Sequence, residues 1–490
     1  MKRTPKKATG MILLLLLCAI SISAALLSTA PSSADSAAVQ NQLAGTDNAA
    51  QCSVMMPDRA TRQEWLDLYY RAPGASLDPV LTRKLMESPG MSFDLLEHLE
   101  YEPAERNQGH CGDCWVWTGT GILEVALSVQ ERVKDRLSVQ YFASCFNGGE
   151  GEDWACCGGW LDWFTDFYRA TGFALPWSNA NASWHDGTQR CENFSTSLPC
   201  GSIATTCSYP IADCAVLRIE THGVGKEAAI ANIKNVLHQN KAVWFAFYFP
   251  NATDIDRFRD FWRNESEQTI WDPDYLCGHT WVEAEGAGHA VLCLGYNDTD
   301  PEHAYWIMLN SWGTTEGRPN GLFYVDMAMN YDCFYTDENL DVHTFYWETL
   351  NVTFEIPDGF DTGPGLYPSI PGTHNGTITP FQPITVSKLY TYPCAGTGGH
   401  AEYMRIFNDT WRLETVQWPG YESDWHFIPF NHSFTLQCGE TYKYTIVTSS
   451  YPQLIRGTEY NATGGRITCS EFRDANGKTD TGWIPAIRLE

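Results

Sequence analysis

The stretch Asn107-Gln-Gly-His-Cys-Gly-Asp-Cys-Trp115 is followed at once by an apolar run that extends to Val129. This run is long enough to form a buried helix, although it contains two glycines. Cys114 would then stand at the amino terminus of that helix, which favours a negative charge. Because a thiol attacks an acyl carbon only as the thiolate, the pattern predicts a nucleophilic Cys114. Taken alone, Cys111 and Cys114 are also typical of a redox Cys-X-X-Cys pair.

Two later segments favour the nucleophile over the redox pair. His289 opens a strand-like apolar run, in Gly286-Ala-Gly-His-Ala-Val-Leu-Cys-Leu-Gly-Tyr-Asn297, and Asn310 follows in Tyr305-Trp-Ile-Met-Leu-Asn-Ser-Trp-Gly313. A lone histidine before a strand is more often structural, and a lone asparagine is more often a turn residue. In the order Cys, His, Asn, however, they supply a nucleophile, a base and a group that orients the base.

These motifs together resemble the papain family of cysteine peptidases. The segment Cys111-Gly-Asp-Cys-Trp115 is similar to the family's Cys-Gly-Ser/Ala-Cys-Trp/Tyr at every position except Asp113. The resemblance implies that Cys114 is the nucleophile. A carboxylate at Asp113 would raise the pKa of the neighbouring thiol unless the side chain faces solvent.

The same resemblance implies roles for four further residues. His289 is expected to be the base, and Asn310 is expected to orient its imidazole. Gln108 would donate its side-chain amide to an oxyanion hole, where one such donor is typically worth ~3 kcal/mol. Trp312 would shield the hydrogen bond between His289 and Asn310 from water.

The segment Cys156-Cys-Gly-Gly-Trp160 resembles the family's Cys-X-Gly-Gly stretch, whose glycine backbone pairs with an extended substrate. The resemblance therefore implies that Gly158 and Gly159 bind substrate, whereas the residues alone are equally typical of an ordinary turn.

The resemblance also bears on the cysteines. It implies a disulfide between Cys111 and Cys156, and a second one between Cys145 and a later cysteine such as Cys191 or Cys200. No metal ion and no cofactor is expected, because the family's chemistry needs neither.

Composition excludes some partners. The chain has 490 residues, 43% of them apolar, and a formal net charge of -27, which would repel the phosphates of nucleic acid. We attribute this charge to solubility or to a salty habitat. The expected partners are protein or peptide substrates, with no nucleic acid.

The amino terminus indicates export. Basic residues precede an apolar run from Met11 to Leu27, and small residues follow it. We assign residues 1–34 to a secretory signal, with an uncleaved anchor as the alternative. The 17 cysteines and ten Asn-X-Ser/Thr sequons agree with oxidising surroundings outside the cytoplasm. The protein is expected to be secreted or to lie at the extracellular cell surface.

Pattern and composition divide the chain further. Helical spacing in Thr61–Tyr70 and Leu81–Met86 predicts short helices, and strand-like aromatic runs follow later, which together predict an α+β fold. The resemblance implies a papain-like fold with a helical lobe and a β-barrel-like lobe. Alternating β-branched segments near the carboxyl terminus predict a separate all-β sandwich. The expected boundaries are a linker and short helical propeptide at 35–89, a peptidase domain at 90–345, a linker at 346–376 and the β-sandwich domain at 377–490.

Two features leave alternatives open. The spacing between Cys114 and His289 exceeds the ~130–150 residues of the family signature, so we expect residues 251–285 to form an inserted surface loop near the cleft. The tryptophans Trp411, Trp418 and Trp425 are consistent with glycan or cell-surface contact, although core packing is the commoner use of such residues.

The expected function is a cysteine-type peptidase, and more narrowly an endopeptidase. The alternative is a non-catalytic cell-surface glycoprotein that retains the fold and uses the groove for binding.

Overall fold

The computed structural model of the chain describes residues 53–87, 90–357, 359–409, 411–416, 426–449 and 451–490. The predicted signal at 1–34, the linker that follows it and the side chains of Trp418 and Trp425 lie outside these ranges. Within them, no helix combines the length and the apolar character needed to span a bilayer.

The α-helices of the described residues all precede residue 265. They are α1 Arg59–Arg71, α2 Pro79–Glu87, α3 Cys114–Glu131, α4 Val139–Cys145, α5 Leu161–Thr171, α6 Lys226–His238 and α7 Ala252–Asn264. Helices α1 and α2 cover the two segments that were predicted to be short helices.

The central helix is α3, which is buried along most of its length. Its two glycines have a packing reason, because other elements approach the helix at both positions. A Cβ at Gly119 would lie 2.9 Å from the ring of Phe164, and one at Gly121 would lie 2.5 Å from Leu292. Larger residues would push the neighbouring elements away from α3.

The first part of the chain forms one large sheet and a small hairpin. Its strands are β1 Ser92–Asp94, β2 Phe173–Ala174, β3 Tyr209–Arg218, β4 Val243–Phe249, β5 Ile270–Trp271, β6 Ala287–Asn297, β7 Tyr305–Leu309, β8 Leu322–Asp326, β9 Phe334–Asp337, β10 Leu340–His343 and β11 Phe345–Phe354. The sheet runs in the order β2-β3-β11-β4-β6-β7-β8-β5, with β1 also on β6, while β9 and β10 form the hairpin. Helix α3 packs on β6 and β11. The fold is α+β. Cys114 lies on the helical side, on α3, and His289 lies on the sheet, on β6.

The linker predicted at 346–376 is wrong at both ends. Strand β11 continues to Phe354 and pairs with both β3 and β4, so these residues belong to the first sheet. Phe360 already belongs to a second hydrophobic core. The connection between the two cores is therefore only a few residues long. Pro and Gly are typical of linkers, but residues 360–361, 367–368 and 372–378 of this stretch pair in sheets.

The carboxyl-terminal part is all β. Its strands are β12 Phe360–Asp361, β13 Tyr367–Pro368, β14 Gly372–Pro380, β15 Ile384–Thr391, β16 His400–Phe407, β17 Arg412–Glu414, β18 Phe427–Leu436, β19 Tyr442–Ser449, β20 Gln453–Arg456, β21 Glu459–Ala462, β22 Gly465–Thr468, β23 Glu471–Asp474, β24 Thr479–Asp480, β25 Trp483–Pro485 and β26 Ile487–Leu489. They form antiparallel sheets around a single core, as in a sandwich. Trp411 stacks on Phe434 at 3.8 Å between ring centroids and packs against this core. A disulfide between Cys207 and Cys438 joins the sandwich to the first part of the chain.

The predicted surface loop at 251–285 is wrong in its first half. Residues 252–264 form α7. At the amino terminus of this helix, the side chain of Asn251 accepts a hydrogen bond from the Asp254 amide. Phe258 and Trp262, four positions apart on one face, are buried and contact Trp312. The helical period was present in the sequence, but the acidic residues of the stretch were given more weight.

Candidate active site

The thiol of Cys114 lies at the first residue of α3 and is fully buried. The turn before it is fixed by the disulfide from Cys111 to Cys156 and by the hydrogen bond from the Gly112 amide to the Cys156 carbonyl. Burial raises the pKa of Cys114 to about 12, although hydrogen bonds from the backbone of Ala290 and of Trp115 act in the opposite direction. In this closed state the thiol is therefore neutral.

His289 lies on β6 and is held by one side chain. Its Nε2 is 2.9 Å from the Oδ1 of Asn310, and this oxygen also accepts a hydrogen bond from the Ser311 amide. Because Oδ1 is an acceptor, Nε2 must carry the proton, and Nδ1 keeps a lone pair. Nδ1 is buried, and none of the residues that the structure describes forms a hydrogen bond with it. Burial lowers the pKa of His289 to about 3, so the imidazole is neutral here.

Trp312 covers this pair. The ring of Trp312 lies 4.6 Å from the ring of His289, at an interplanar angle of 30°. Helix α7 packs on the other side of Trp312 through Phe258 and Trp262, which keeps the indole in place. The arrangement excludes water from the hydrogen bond between His289 and Asn310.

Gln108 is fixed at both ends of its amide. Its Nε2 donates to the carbonyl of Cys111 at 2.6 Å, and its Oε1 accepts from the hydroxyl of Ser311 at 2.6 Å. The residue is fully buried. The donor end of the amide therefore points towards the turn that leads into Cys114.

The residues Ser53–Met56, hereafter the covering segment, close the site. Met55 exchanges two backbone hydrogen bonds with Gly288, at 2.9 and 2.8 Å, next to His289. The carbonyl of Ser53 accepts a bond from Trp312 Nε1 at 3.1 Å and one from Gln108 Nε2 at 3.4 Å. Extended backbone thus pairs with Gly288 beside His289 and accepts hydrogen bonds from Gln108 and Trp312, two of the residues that the sequence assigned to the site.

The two glycines predicted to bind substrate differ in position. Gly158 has φ +98°, and a Cβ there would lie 3.0 Å from the Cβ of Met55 in the covering segment. A Cβ at Gly159 would instead lie 2.5 Å from the ring of Trp115. Gly158 therefore faces the groove, whereas Gly159 allows close packing on the base of α3.

Further disulfides surround the Gly158 side of the groove. The structure pairs Cys145 with Cys200, one of the two partners left open, and pairs Cys157 with Cys191. Another disulfide, between Cys277 and Cys333, holds the stretch after α7 to β9. Sequence analysis missed the covering segment, whose only signal was a short apolar run, Ser53-Val-Met-Met56, between polar stretches.

Asp113 does not face solvent. Its side chain is fully buried, and neither carboxylate oxygen has a hydrogen-bond partner among the described residues. Burial, and to a lesser extent the charge of nearby Asp186, raise the pKa of Asp113 well above its ordinary value of 3.8. The carboxyl group is therefore neutral in acid, and it gains a charge beside Cys114 only as the pH rises.

This geometry predicts the effect of Asp113→Asn on the pH profile. The amide cannot ionise, so kcat/KM should rise about fivefold at the alkaline end of the profile and change little at its acidic end. The pKa of Asp113 is higher in the folded state than in the unfolded state, so the free energy of unfolding should fall as the pH rises above 3.8. The Asp113→Asn variant should lose this dependence. Peptidase assays and thermal unfolding across this pH range check both effects. An unchanged alkaline limb would contradict the prediction.

Comparison with known proteins identifies the family of the chain. Residues 91–342 match the family model described as papain family cysteine protease. A cathepsin L-like peptidase of Aedes aegypti is 25% identical over 228 residues, which cover 46% of this chain and 56% of the relative. Cathepsin B-like CP2 of Giardia intestinalis is 28% identical over 251 residues, covering 49% and 70%.

Among solved structures, procathepsin B S9 from Trypanosoma congolense is similar, with a TM-score of 0.36, 16% identity, and coverage of 63% of this chain and 88% of that one. The chain spans about half the length of several curated relatives that it matches. The residues that match the family model, by contrast, make up just over half of this chain, and Cys114, His289 and Asn310 lie within their range. The chain belongs to the papain family of cysteine proteases.

Proposed function

We propose that the chain is a secreted cysteine endopeptidase that cleaves proteins or peptides through an acyl-enzyme on Cys114, and that the covering segment keeps it inactive in the described state. The observation that carries this proposal is the hydrogen bond from His289 to Asn310, which leaves the Nδ1 lone pair unpartnered in a site whose buried thiol is Cys114. A protein that only binds peptides has no use for an oriented, unpartnered base.

In the first half of the proposed reaction, Nδ1 of His289 takes the thiol proton and the sulfur of Cys114 attacks the scissile carbonyl. A C–S bond forms as the carbonyl π bond opens, and negative charge develops on its oxygen. Gln108 Nε2 and the backbone amide at the start of α3 are the donors for this oxyanion. The imidazolium then gives its proton to the leaving amine as the C–N bond breaks.

In the second half, water replaces the amine. Nδ1 of His289 takes a proton from this water while the oxygen of the water attacks the thioester carbon. The C–S bond then breaks, and the proton returns to the sulfur of Cys114. Asn310 accepts from Nε2 throughout, so the imidazole keeps its orientation, and Trp312 keeps this hydrogen bond dry.

The covering segment supports a closed resting state for two reasons. It occupies the groove with backbone hydrogen bonds to Gly288, so a substrate cannot pair there at the same time. It also lies beside Gly288, next to His289, and beside Gly112, in the turn before Cys114, where burial keeps the pKa of the thiol high and that of the imidazole low. Displacing the segment would admit water and substrate together, and would favour the thiolate–imidazolium pair.

The course of the covering segment also supports an endopeptidase. Ser53 lies at Trp312 and Met55 lies at Gly288, and the chain continues from there into α1. An internal stretch of polypeptide therefore fits through the groove. We expect an internally quenched peptide to be cut between its two blocked ends.

A thiol-reactive epoxysuccinyl probe tests the proposal as a whole. We expect it to label wild-type protein, either at rest or after incubation at acidic pH, and to leave Cys114→Ala unlabelled. If neither the resting nor the acid-treated chain is labelled, the proposal fails and the non-catalytic binding glycoprotein becomes the better reading.

Gln108→Ala is expected to lower kcat about 100-fold and to leave KM nearly unchanged. The reason is that the lost donor acts on the charge of the transition state more than on the bound substrate. Steady-state kinetics measure both constants, and thermal unfolding controls for the lost bonds to Ser311 and Cys111. A rise in KM with an unchanged kcat would place Gln108 in substrate binding instead.

Export and surface contact are part of the proposal. Several sequon asparagines, among them Asn264, Asn351 and Asn461, are exposed, and disulfides link distant parts of the chain. Glycosidase treatment of protein secreted from a eukaryotic host should lower its mass. Glycan contact through the carboxyl-terminal sandwich remains a prediction, for which Trp411 gives little support because it packs on Phe434.

A further inference from the structure

A depression in the surface lies beside α7. Its volume is about 410 Å³, which is within the ~300–1,000 Å³ of sites that hold small molecules. Phe261 and Asn264 line it from one face of α7. Phe258 and Trp262, the rings that pack on Trp312, lie on another face of the same helix. Anything bound in the depression would therefore contact the helix that holds Trp312, without entering the groove.

Three aromatic rings line the depression. Phe261 lies 6.3 Å from Trp271 of β5, and Trp271 lies 6.2 Å from Tyr275, measured between ring centroids. Arg257 covers Tyr275, with the carbon of its guanidinium 3.9 Å from the ring centre. The exposed side chain of Asp260 adds a carboxylate to the rim. Aromatic rings beside charged groups suit a sugar, because a sugar has an apolar C–H face and hydroxyls that form hydrogen bonds.

Asn264 is a sequon asparagine at the wall of this depression. It is the last residue of α7, it is exposed, and it forms an Asn-X-Ser sequon with Ser266. Phe261 lies three positions before it, on the same face of the helix. A glycan joined to Asn264 would therefore begin beside the aromatic rings.

The last turn of α7 is held firmly. Arg318 is fully buried and donates hydrogen bonds to the carbonyls of Phe261 and Trp262. The amide of Glu267 donates to the carbonyl of Gly317 at 2.9 Å, so the chain just after the helix is fixed as well. The attachment point is thus preorganised relative to the rings, which lowers the entropic cost of placing a sugar against them.

The sequon at the other end of α7 has a different setting. Asn251 accepts a hydrogen bond from the Asp254 amide, and its Nδ2 donates to Asp254 Oδ2 at 2.8 Å. Both polar atoms of this side chain therefore take part in the first turn of the helix. Of the two sequons of α7, Asn264 is the one that borders the depression.

We propose that Asn264 carries an N-linked glycan whose innermost sugars lie in the depression, and that the seated glycan braces α7 and hence Trp312. This inference rests on the proposed export of the chain. In the attachment step, Nδ2 of Asn264 attacks the anomeric carbon of a lipid-linked oligosaccharide supplied by the secreting cell. A C–N bond forms, the C–O bond to the lipid diphosphate breaks, and Nδ2 loses one proton. Because the tether holds the sugars at an effective concentration on the order of millimolar, weak contacts suffice to seat them.

Release by a peptide-N-glycosidase tests the seat. This enzyme cuts the bond between asparagine and the first sugar, so a seated glycan must first open locally. In folded protein secreted from a eukaryotic host, release at Asn264 should be at least about tenfold slower than at Asn461, which is exposed on the edge strand β21. After denaturation the two rates should be similar. Release converts asparagine to aspartate, so mass spectrometry of the peptides measures each rate.

Asp260→Trp should abolish this protection. Asp260 is exposed and lies one turn before Asn264, so an indole there would fill the depression and displace the sugars. The matched control is Asp256→Trp, the same substitution at an exposed aspartate one turn further from Asn264, which should keep the protection.

A stability measurement tests the bracing of α7. Ser266→Ala removes the sequon but keeps Asn264, so the melting temperature of the secreted protein should fall by a few degrees. Ser266→Thr keeps the sequon and should keep the melting temperature. Asn461→Gln removes a glycan elsewhere and should also leave the melting temperature unchanged. Equal melting temperatures for Ser266→Ala and Ser266→Thr would overturn the bracing role.

The outcomes separate this inference from the export on which it rests. Equal release rates at Asn264 and Asn461 in the folded protein overturn the seated glycan while the proposed export stands. An unmodified Asn264 beside other, glycosylated sequons does the same. Secreted protein in which no sequon carries a glycan contradicts the glycoprotein proposal itself, and the inference falls with it.

Discussion

Replacing Cys114 with alanine is expected to lower kcat/KM for a peptide substrate by about 10⁵-fold or more. Without the sulfur no acyl-enzyme forms, and the remaining groups can only polarise the carbonyl and position water. Binding should persist, because the groove residues Gly158 and Gly288 and the amide of Gln108 are unchanged. A fluorogenic peptide assay measures the loss, and binding of a substrate-like peptide to the inactive variant shows that the groove is intact.

The chain offers a matched control for this substitution. Cys293 is another buried, unpaired cysteine of the same part of the molecule, on β6. Burial raises the pKa of Cys293 to about 12, as it does for Cys114, but Cys293 has no imidazole partner. Cys293→Ala should therefore keep activity within about threefold. Activity that survives Cys114→Ala, or equal losses in both variants, would contradict the proposed nucleophile.

Changing Met55 to aspartate should open the resting enzyme. Met55 is 1% exposed and packs against Gly158 and Gly288. A carboxylate in this apolar site has no cation to pair with, at a cost of about 3 kcal/mol, which shifts the population of the open state about 100-fold. The rate of labelling by the epoxysuccinyl probe near neutral pH should rise by about the same factor. Labelling reactions quenched at set times and analysed by mass spectrometry measure this rate.

Met56→Asp is the control for the covering segment. Met56 is the next residue in the chain, with the same side chain, but it is 51% exposed. A carboxylate there stays in water, so the labelling rate should change by less than about threefold. If both substitutions accelerate labelling equally, or if neither does, the covering segment does not control access to Cys114.

Much of the site could be predicted because its signals are local. Cys114 at a helix start, His289 at a strand start and Asn310 after a strand each carry a sequence pattern of a few residues. Each pattern is weak alone, but their order along the chain predicts a nucleophile, a base and a residue that orients the base. Helix α3 and strand β6 were predicted for the same reason, since each is an apolar run next to turn residues.

The features that escaped prediction depend on contacts between distant segments. Nothing local in Ser53–Met56 shows that Gly288 will pair with Met55, more than two hundred residues later. The burial of Asp113 depends on what packs over the turn, and a charged residue beside a nucleophile is more naturally taken as exposed. The partnership of Cys207 with Cys438 crosses from one hydrophobic core to the other, so each half viewed alone has an unmatched cysteine.

That cross-link decides what proteolysis can do to the molecule. A cut between Phe354 and Phe360, by the enzyme itself or by another protease, would separate the two hydrophobic cores along the chain. A cut there would normally shed the sandwich. With Cys207 bonded to Cys438, the two fragments would stay covalently joined, migrating as one species on a non-reducing gel and as two after reduction. The sandwich would thus stay covalently attached to the peptidase as long as the surroundings stay oxidising.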